Sequence, residues 1–134
     1  MRRILVASHH RFAEGLCDTL RFVTGGAIDA IALNAYLDEV PLELQVNEIF
    51  DQFEPDDEVL VLTDMMQGSV NQELLRKMGQ KVFVVTGINV PAALELGVAP
   101  SPLTVDVVEQ IVSRAREQLV LMNTIQIETT DGDE

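Results

Sequence analysis

The 134-residue sequence has a single cysteine, Cys17, and no long hydrophobic run. One cysteine cannot form an intramolecular disulfide or build a zinc site from thiolates, which fits a reducing compartment. The apolar run near the N-terminus, residues 4–7, is too short for a signal-peptide core or a membrane span. We therefore expect a cytoplasmic protein that does not insert into a membrane.

Basic residues are also scarce. Nine lysines and arginines stand against 22 aspartates and glutamates, and the formal net charge at pH 7 is −13. Because such a surface repels polyanions, we expect no nucleic-acid partner. Residues 1–27 are the exception, since their four arginines outnumber one glutamate and one aspartate. We expect this less acidic stretch to form a rim that faces anionic groups.

Signatures of nucleotide and metal sites are missing as well. The sequence contains neither GxxxxGK[ST] nor a GxGxxG after its first predicted strand, so sites for ATP and NAD are not predicted. A metal would have to be held by His9, His10 and Asp64, but adjacent histidines seldom direct both rings at one ion. We therefore expect no cofactor and no metal.

What the sequence does contain is the composition of one globular domain, with 47% hydrophobic and 23% charged residues. We assign residues 1–130 to this domain. The acidic tail, residues 131–134, is expected to be frayed.

Apolar patterns along this domain alternate between strands and helices. Continuous apolar runs of the kind found in buried parallel strands mark the predicted strands, residues 3–8, 27–33, 59–64 and 81–86. Helical spacing marks the predicted helices, residues 12–23, 41–53, 69–78, a short stretch ending at 96, and 105–121. This order predicts an α/β fold with a mainly parallel sheet and helices on both faces. The alternating residues 124–129 predict a half-exposed edge strand.

Chemistry in an open α/β sheet gathers at the carboxyl ends of the strands, near the point where strand order reverses. His9 and His10, the only histidines, follow the first strand, and Asp64 ends the third. A carboxylate that accepts the N–H of one imidazole nitrogen leaves the other free as a nucleophile, a need that His9 with Asp64 meets. A phosphoryl group on His9 would need donors, which Ser69 and the backbone near Gly68 offer at the start of a helix.

Each of these residues also has a plain structural interpretation. Either histidine could be an exposed loop residue, Asp64 could cap a turn, and Ser69 could be an ordinary helix N-cap. Their convergence on one rim favours the functional interpretation. Cys17 is interpreted as a small buried hydrophobe.

Candidate partner contacts surround the predicted site, namely His10, Arg11, Phe12, Met65 and Met66. Phe12 and the two methionines could instead be simple packing residues. Arg11 is the nearest cationic side chain, so we expect it to contact phosphate and partners.

In three ordered motifs the sequence resembles the IIA domain of the mannose family of the bacterial phosphoenolpyruvate-dependent sugar phosphotransferase system. The motifs are ILVASHHRFAEGL at residues 4–16, VLVLTDMMQGSV at 59–70 and TGINVP at 86–91. The resemblance covers nearly the whole chain and implies a flavodoxin-like three-layer sandwich with a mainly parallel sheet. It also implies a homodimer in which an antiparallel C-terminal edge strand, here residues 124–129, joins the neighbour's sheet.

The resemblance further implies a role for each matching residue. His9 would accept a phosphoryl group from phospho-HPr and pass it to a IIB domain associated with a membrane permease complex. Asp64 would orient the imidazole, and Ser69 would lie beside the phosphate. The chain departs from the family pattern at His10, where glycine is common, and at residues 66–70, where a tryptophan or similar residue followed by Gly-Gly-Ser-Pro is often found.

The leading hypothesis is a phosphotransferase component that carries phosphate on His9. The alternative is a regulatory or protein-binding module that keeps the fold but does not pass phosphate onward, with His10 and Gln67 as signs of altered partners. A response-regulator receiver shares the layout, but it needs an acidic cluster after the first strand, where this chain has two histidines.

Overall fold

The computed structural model describes residues 1–125, which form four strands and five α-helices. The strands are β1 (Arg2–His9), β2 (Ile31–Ala35), β3 (Glu58–Thr63) and β4 (Val82–Thr86). The helices are α1 (Phe12–Val23), α2 (Leu42–Phe50), α3 (Ser69–Leu75), α4 (Val90–Val98) and α5 (Val105–Arg116). The predicted α/β class is confirmed.

The strands are parallel and lie in the order β2-β1-β3-β4. The chain adds β2 on one side of β1 and then crosses over to add β3 on the other side. Strand order therefore reverses between β1 and β3, and open α/β sheets bind ligands at the carboxyl side of such a point. The register pairs Ala7 with Thr63, so the residues that follow them reach the same rim.

Helices cover both faces of the sheet, as predicted. On one face α1, α4 and α5 pack with Ile4 and Val6 of β1, and on the other face α2 and α3 pack with Leu5 and Ala7. Because successive side chains of a strand point to opposite faces, a strand covered on both sides must be apolar throughout. The continuous apolar run of β1 has this cause.

Two element boundaries differ clearly from the prediction. β2 begins at Ile31 rather than at residue 27, because Ile28 and Ala30 enter the core from the loop after α1 instead of pairing in the sheet. α5 ends at Arg116 rather than near residue 121. Leu119 is 88% exposed, so the apolar stripe that stabilises the helix has ended before it.

The C-terminal predictions fall largely beyond the described part of the chain. Of the predicted edge strand, residues 124–129, only the first two are described, and Thr124 belongs to a 3-10 turn, Met122–Thr124. The tail, residues 131–134, lies outside the described residues. Within residues 1–125, β4 has one neighbouring strand, β3, and no helix is long and apolar enough to cross a membrane.

Two ion pairs close the amino end of the sheet. Arg2 of β1 lies 2.9 Å from a carboxylate oxygen of Glu58 and donates to the backbone oxygen of Ala99, after α4, at 2.6 Å. Arg3 lies 2.9 Å from Asp57. These contacts join the first residues of β1 to the start of β3 and to the end of α4.

The pKa values of both carboxylates reflect these contacts. The backbone N–H of Glu54 and the side chain of Arg3 lower the pKa of Asp57 to about 2. Burial alone would raise the pKa of Glu58, but hydrogen bonds from Ser101 and from the arginine beside it lower it to about 2. Both groups are therefore ionised well below neutral pH.

Candidate functional site

Two strand ends bring the candidate catalytic pair together. β1 ends at His9, and β3 ends at Thr63, one residue before Asp64. Because Ala7 lies beside Thr63 in the parallel register, the residues that follow meet at the carboxyl rim of the sheet. There His9 and Asp64, 55 positions apart, are in direct contact.

Asp64 holds both the main chain and the ring of His9. Its Oδ2 accepts the backbone N–H of His9 at 2.8 Å and lies 2.9 Å from the ring atom Nδ1. Its Oδ1 accepts the backbone N–H of Met65 at 3.0 Å. The side chain of His9 is 32% exposed and that of Asp64 is 16% exposed. The more buried carboxylate therefore orients the imidazole ring, which is still accessible to solvent.

These contacts also decide the charge of Asp64. Partial burial alone would raise the pKa of Asp64, but hydrogen bonds from the backbone and ring of His9 outweigh it, and the pKa lies below its ordinary value. An ionised carboxylate only accepts hydrogen bonds, so in the neutral imidazole the ring proton lies on Nδ1. Nε2 then carries a lone pair and can act as a nucleophile.

Gly68 lies against the Nε2 side of the imidazole. Its φ of 145° is a conformation that favours glycine, and an added Cβ would lie 3.2 Å from Cε1 and 3.6 Å from Nε2 of His9. The space beside Nε2 therefore depends on this residue being glycine. The N-cap of α3 is Gly68 rather than Ser69, because the last non-helical residue before the helix is the glycine.

Ser69 is engaged by a residue that the sequence patterns did not indicate. The hydroxyl groups of Ser69 and Tyr36 form a hydrogen bond, and the ring centroid of Tyr36 lies 5.6 Å from that of His9. Tyr36 follows β2, so it stands at the carboxyl end of a third strand. Two features of the sequence could have indicated Tyr36: its position after a predicted strand, and its being the one tyrosine in the chain.

Two buried polar side chains, also not indicated by the patterns, hold the loops of the site. Ser8 Oγ accepts the backbone N–H of Ala13 at 2.7 Å and donates to the backbone oxygen of His10 at 3.1 Å. Asn71 accepts a hydrogen bond from Thr63 at 2.9 Å and donates to the backbone of the loop before α3. These bonds fix the turns in which the candidate residues lie.

His10 stands next to His9 but makes different contacts. Its backbone has a φ of 50°, in the left-handed region, and its N–H donates to the oxygen of Ala35 at 2.9 Å. Its side chain is exposed. A left-handed residue at this turn explains why glycine suits the position.

The remaining predicted contact residues are exposed at the rim. Phe12 and Met65 are each 48% exposed and Met66 is 67% exposed, so they are not core residues. Arg11 is exposed as well, and its guanidinium lies 3.5 Å from Glu14, one helical turn further on. Their contact with a partner stays a prediction.

The expectation that residues 1–27 together form a less acidic rim was wrong. Of the four arginines in residues 1–27, Arg2 and Arg3 are paired at the amino end of the sheet, and Arg21 lies 3.5 Å from Asp29 after α1. Arg11 is the one that reaches the carboxyl rim. A strand carries its first residues to the opposite end of the sheet from its last ones, so residues close in sequence do not share a surface.

Other candidate chemistry is weak in the described residues. Cys17 is buried in α1, and burial raises the pKa of its thiol to about 11, which disfavours a thiolate. No three histidine, cysteine, aspartate or glutamate side chains within residues 1–125 lie close enough together to hold a metal ion.

A family model supplies the assignment. The model described as the fructose IIA component of the phosphotransferase system, EIIA-man, matches residues 3–118. The chain belongs to the EIIA-man family. The match spans every strand and helix from β1 to α5, and it confirms the resemblance to the mannose family carried by the three sequence motifs.

Solved structures of similar proteins agree with the assignment. A protein from Klebsiella pneumoniae subsp. pneumoniae, provisionally described as a phosphoenolpyruvate-dependent sugar phosphotransferase system permease, has 31% identity and a TM-score of 0.84 over 92% of both chains. A IIA protein associated with the fucose utilization operon of Streptococcus pneumoniae has 29% identity and a TM-score of 0.74, over 91% of this chain and 93% of that one. The mannose/sorbose-specific IIA subunit from Enterococcus faecalis, 22% identical with a TM-score of 0.77 over 96% and 98%, shows the shared flavodoxin-like fold.

Proposed function

We propose that this EIIA-man protein is a phosphocarrier of the sugar phosphotransferase system. His9 accepts a phosphoryl group from phospho-HPr and passes it to a IIB component during coupled sugar uptake and phosphorylation. One observation carries the proposal, the 2.9 Å contact between Nδ1 of His9 and Oδ2 of Asp64, which leaves Nε2 as the nucleophilic nitrogen. Family membership supports the general role.

In the proposed step, the lone pair of His9 Nε2 forms a bond to phosphorus. The bond from phosphorus to the donor's leaving atom breaks, and its electron pair goes to that atom. The imidazole gains positive charge as the new bond forms, and the carboxylate of Asp64 stabilises this charge while the proton stays on Nδ1. Transfer to the acceptor repeats the displacement, with Nε2 as the leaving atom.

Gly68 and Ser69 are proposed to bind the phosphoryl group. The absence of a side chain on Gly68 leaves room next to Nε2 of His9. Ser69 is the first residue of α3 and offers a hydroxyl, and the first backbone N–H groups of a helix have no acceptor within the helix. A phosphoryl group has three strongly accepting oxygens, so hydroxyl and backbone donors suit it.

The exposed side chains around His9 are proposed to contact the partner proteins. Phe12, Met65 and Met66 offer an adaptable apolar surface, and His10 and Arg11 offer polar contacts. The same face would receive phospho-HPr and the IIB component. The protein would act in the cytoplasm, in association with the membrane permease complex, as a homodimer.

Phosphorylation from the donor tests the proposal. With phosphoenolpyruvate, enzyme I and HPr, intact mass spectrometry should show one acid-labile phosphate per chain. His9→Ala should abolish the adduct, and His10→Ala should still form it. An adduct that survives in His9→Ala and disappears in His10→Ala would reject His9 as the carrier.

Onward transfer separates the phosphocarrier from the regulatory alternative. The purified phosphoprotein is mixed with IIB domains encoded near its gene, and the phosphate is followed from one protein to the other. Recovery of the phosphate on a IIB domain supports the carrier role. Retention on His9 with every cognate IIB domain supports a regulatory module.

A further inference from the structure

Tyr36 stands at the rim in a conformation that tyrosine seldom adopts. It follows β2 directly, and its φ of 68° lies in the left-handed region, which is disfavoured for residues with a Cβ atom. The hydrogen bond from His10 to the backbone oxygen of Ala35 ties this turn to the loop after β1. Such strained residues persist where surrounding contacts hold them, often at functional sites.

Two contacts hold the side chain of Tyr36 over the site. Its hydroxyl is hydrogen-bonded to Oγ of Ser69. Its ring lies 5.6 Å from the imidazole of His9, centroid to centroid, with the two planes tilted by 42°. Because the residue is 47% exposed, core packing does not account for the position of its side chain.

We propose that Tyr36 is a positioning residue of the phosphoryl site. Its hydroxyl holds the Ser69 hydroxyl beside His9, and its ring limits the movement of the imidazole. The inference rests on the proposed phosphocarrier function and adds a residue to it. Tyr36 acts through Ser69 and does not itself exchange a proton or a phosphate.

A hydroxyl can accept one hydrogen bond while it donates another. When His9 is phosphorylated, Tyr36 donates to Oγ of Ser69, and Ser69 donates to a phosphoryl oxygen. A donor that is itself hydrogen-bonded is polarised and binds its acceptor more strongly. Tyr36 therefore supports the charge on the transferring group, and its loss should affect the transfer step more than the docking of the donor.

The first test is Tyr36→Phe, which keeps the ring and removes the hydroxyl. The rate of transfer at saturating phospho-HPr should fall about fivefold, the effect of losing one hydrogen bond, with an unchanged KM for phospho-HPr. A wild-type rate, or a raised KM with an unchanged rate, would overturn the inference.

The second test asks whether Tyr36 acts through Ser69. Transfer rates are compared for Tyr36→Phe, Ser69→Ala and the double variant. The double variant should be no slower than Ser69→Ala, because the tyrosine hydroxyl has then lost its partner; additive slowing would contradict the inference. Ser101→Ala is the matched control, since it removes a hydroxyl that bonds Glu58 at 2.7 Å at the far end of the sheet, and it should transfer at the wild-type rate.

A third measurement needs no phosphate. In the NMR spectrum of the free protein, Tyr36→Leu should shift the Hε1 resonance of His9 by removing the aromatic ring, whereas Tyr36→Phe should leave it near its wild-type position. An unchanged resonance in Tyr36→Leu would refute the ring contact. If the wild-type protein takes up no phosphate, both the proposed function and this role of Tyr36 are rejected. If the wild-type protein is phosphorylated and Tyr36→Phe transfers phosphate at the same rate, only the role of Tyr36 is rejected.

Discussion

β3 and the residues that flank it carry ionised carboxylates at both ends of the sheet, but the carboxylates have different partners. At the amino end, Asp57 and Glu58 meet arginines, whose charge is permanent. At the carboxyl end, Asp64 meets the imidazole of His9, which keeps one ring nitrogen uncommitted and accessible. Arginines thus neutralise the carboxylates at the amino end of the sheet, which we call the closed end. At the carboxyl end the imidazole of His9 is oriented but accessible to solvent, and we call this the open end.

Backbone conformation divides the molecule in the same way. Both non-glycine residues with positive φ in the described chain, His10 and Tyr36, lie at the carboxyl rim. Each such residue costs about 1–2 kcal/mol. From this contrast we expect the amino end to contribute stability and the carboxyl end to contribute the proposed chemistry, so substitutions at the two ends should have separable effects.

The largest effect should come from Asp64→Asn at the open end. The asparagine oxygen can still accept from His9, but its NH₂ group then faces the backbone N–H of Met65, where Asp64 now accepts at 3.0 Å. We expect phosphoryl transfer to slow by about a hundredfold or more. Rapid-quench measurement of transfer from phospho-HPr checks this, and a rate within twofold of wild type would contradict it.

The complementary variant at the closed end is Glu58→Gln. It weakens the bonds to Arg2, Ser101 and the backbone of Leu103, so unfolding in urea should show a loss of about 2 kcal/mol. Phosphoryl transfer by the folded protein should be unchanged. Glu48→Gln, an exposed glutamate of α2, is the matched control and should change neither quantity. Slowed transfer in Glu58→Gln would contradict the expectation that the two ends of the sheet have separable effects.

Gly68→Ala tests how much space the open end requires. The added Cβ would lie 3.2 Å from Cε1 of His9, in a backbone conformation that alanine rarely adopts. We expect transfer to slow about tenfold, which corresponds to roughly 1.4 kcal/mol. Gly79→Ala, where a Cβ meets nothing within 4 Å, should transfer normally. Equal rates for the two variants would show that the space beside Nε2 is not needed.

Acid should weaken the closed end. The pKa values of Asp57 and Glu58 are about 2 in the folded protein, below their ordinary values of 3.8 and 4.5. Groups with lowered pKa contribute stability that is present above their unfolded pKa and is lost as the pH falls through the folded pKa. Stability should therefore fall from about pH 5 to pH 2, with a slope in Glu58→Gln that is shallower by at most about 1.4 kcal/mol per pH unit. Urea unfolding across this range checks it, and parallel curves would contradict it.

The smallest effect is expected from His10→Gly. Glycine adopts a φ of 50° without strain, so the variant should be more stable than wild type by about 1 kcal/mol. Chemical unfolding measures this gain. Unchanged or lower stability would show that the side chain of His10 compensates for its backbone.

The sequence predicted those parts of the fold that depend on local patterns. β1 and β3 are apolar along their whole length because both faces are covered, and this pattern is visible in one dimension. The start of β2 was not predictable, since Ile28 is as apolar as Ile31 and only the packing of α1 decides which of them pairs in the sheet.

The same distinction applies to the site. The contact between His9 and Asp64 was predictable because each residue lies at the end of an apolar run, and parallel strands bring such ends together. Tyr36 and Asn71 were not, because their contacts depend on a left-handed turn and on a loop conformation. The charge pattern led to a wrong prediction of the rim, because Arg2 and Arg3 are near His9 in sequence but lie at the other end of the strand in space.

A single oxygen of Asp64 binds the main chain and the ring of His9 together. The direction of Nε2 is therefore set when the protein folds, and no partner has to induce it. A donor and an acceptor must each approach this one nitrogen along the same line, so they cannot be bound at the same time. For a phosphocarrier built in this way, the two half-reactions alternate, and steady-state kinetics with both partners should give the parallel lines of a substituted-enzyme mechanism.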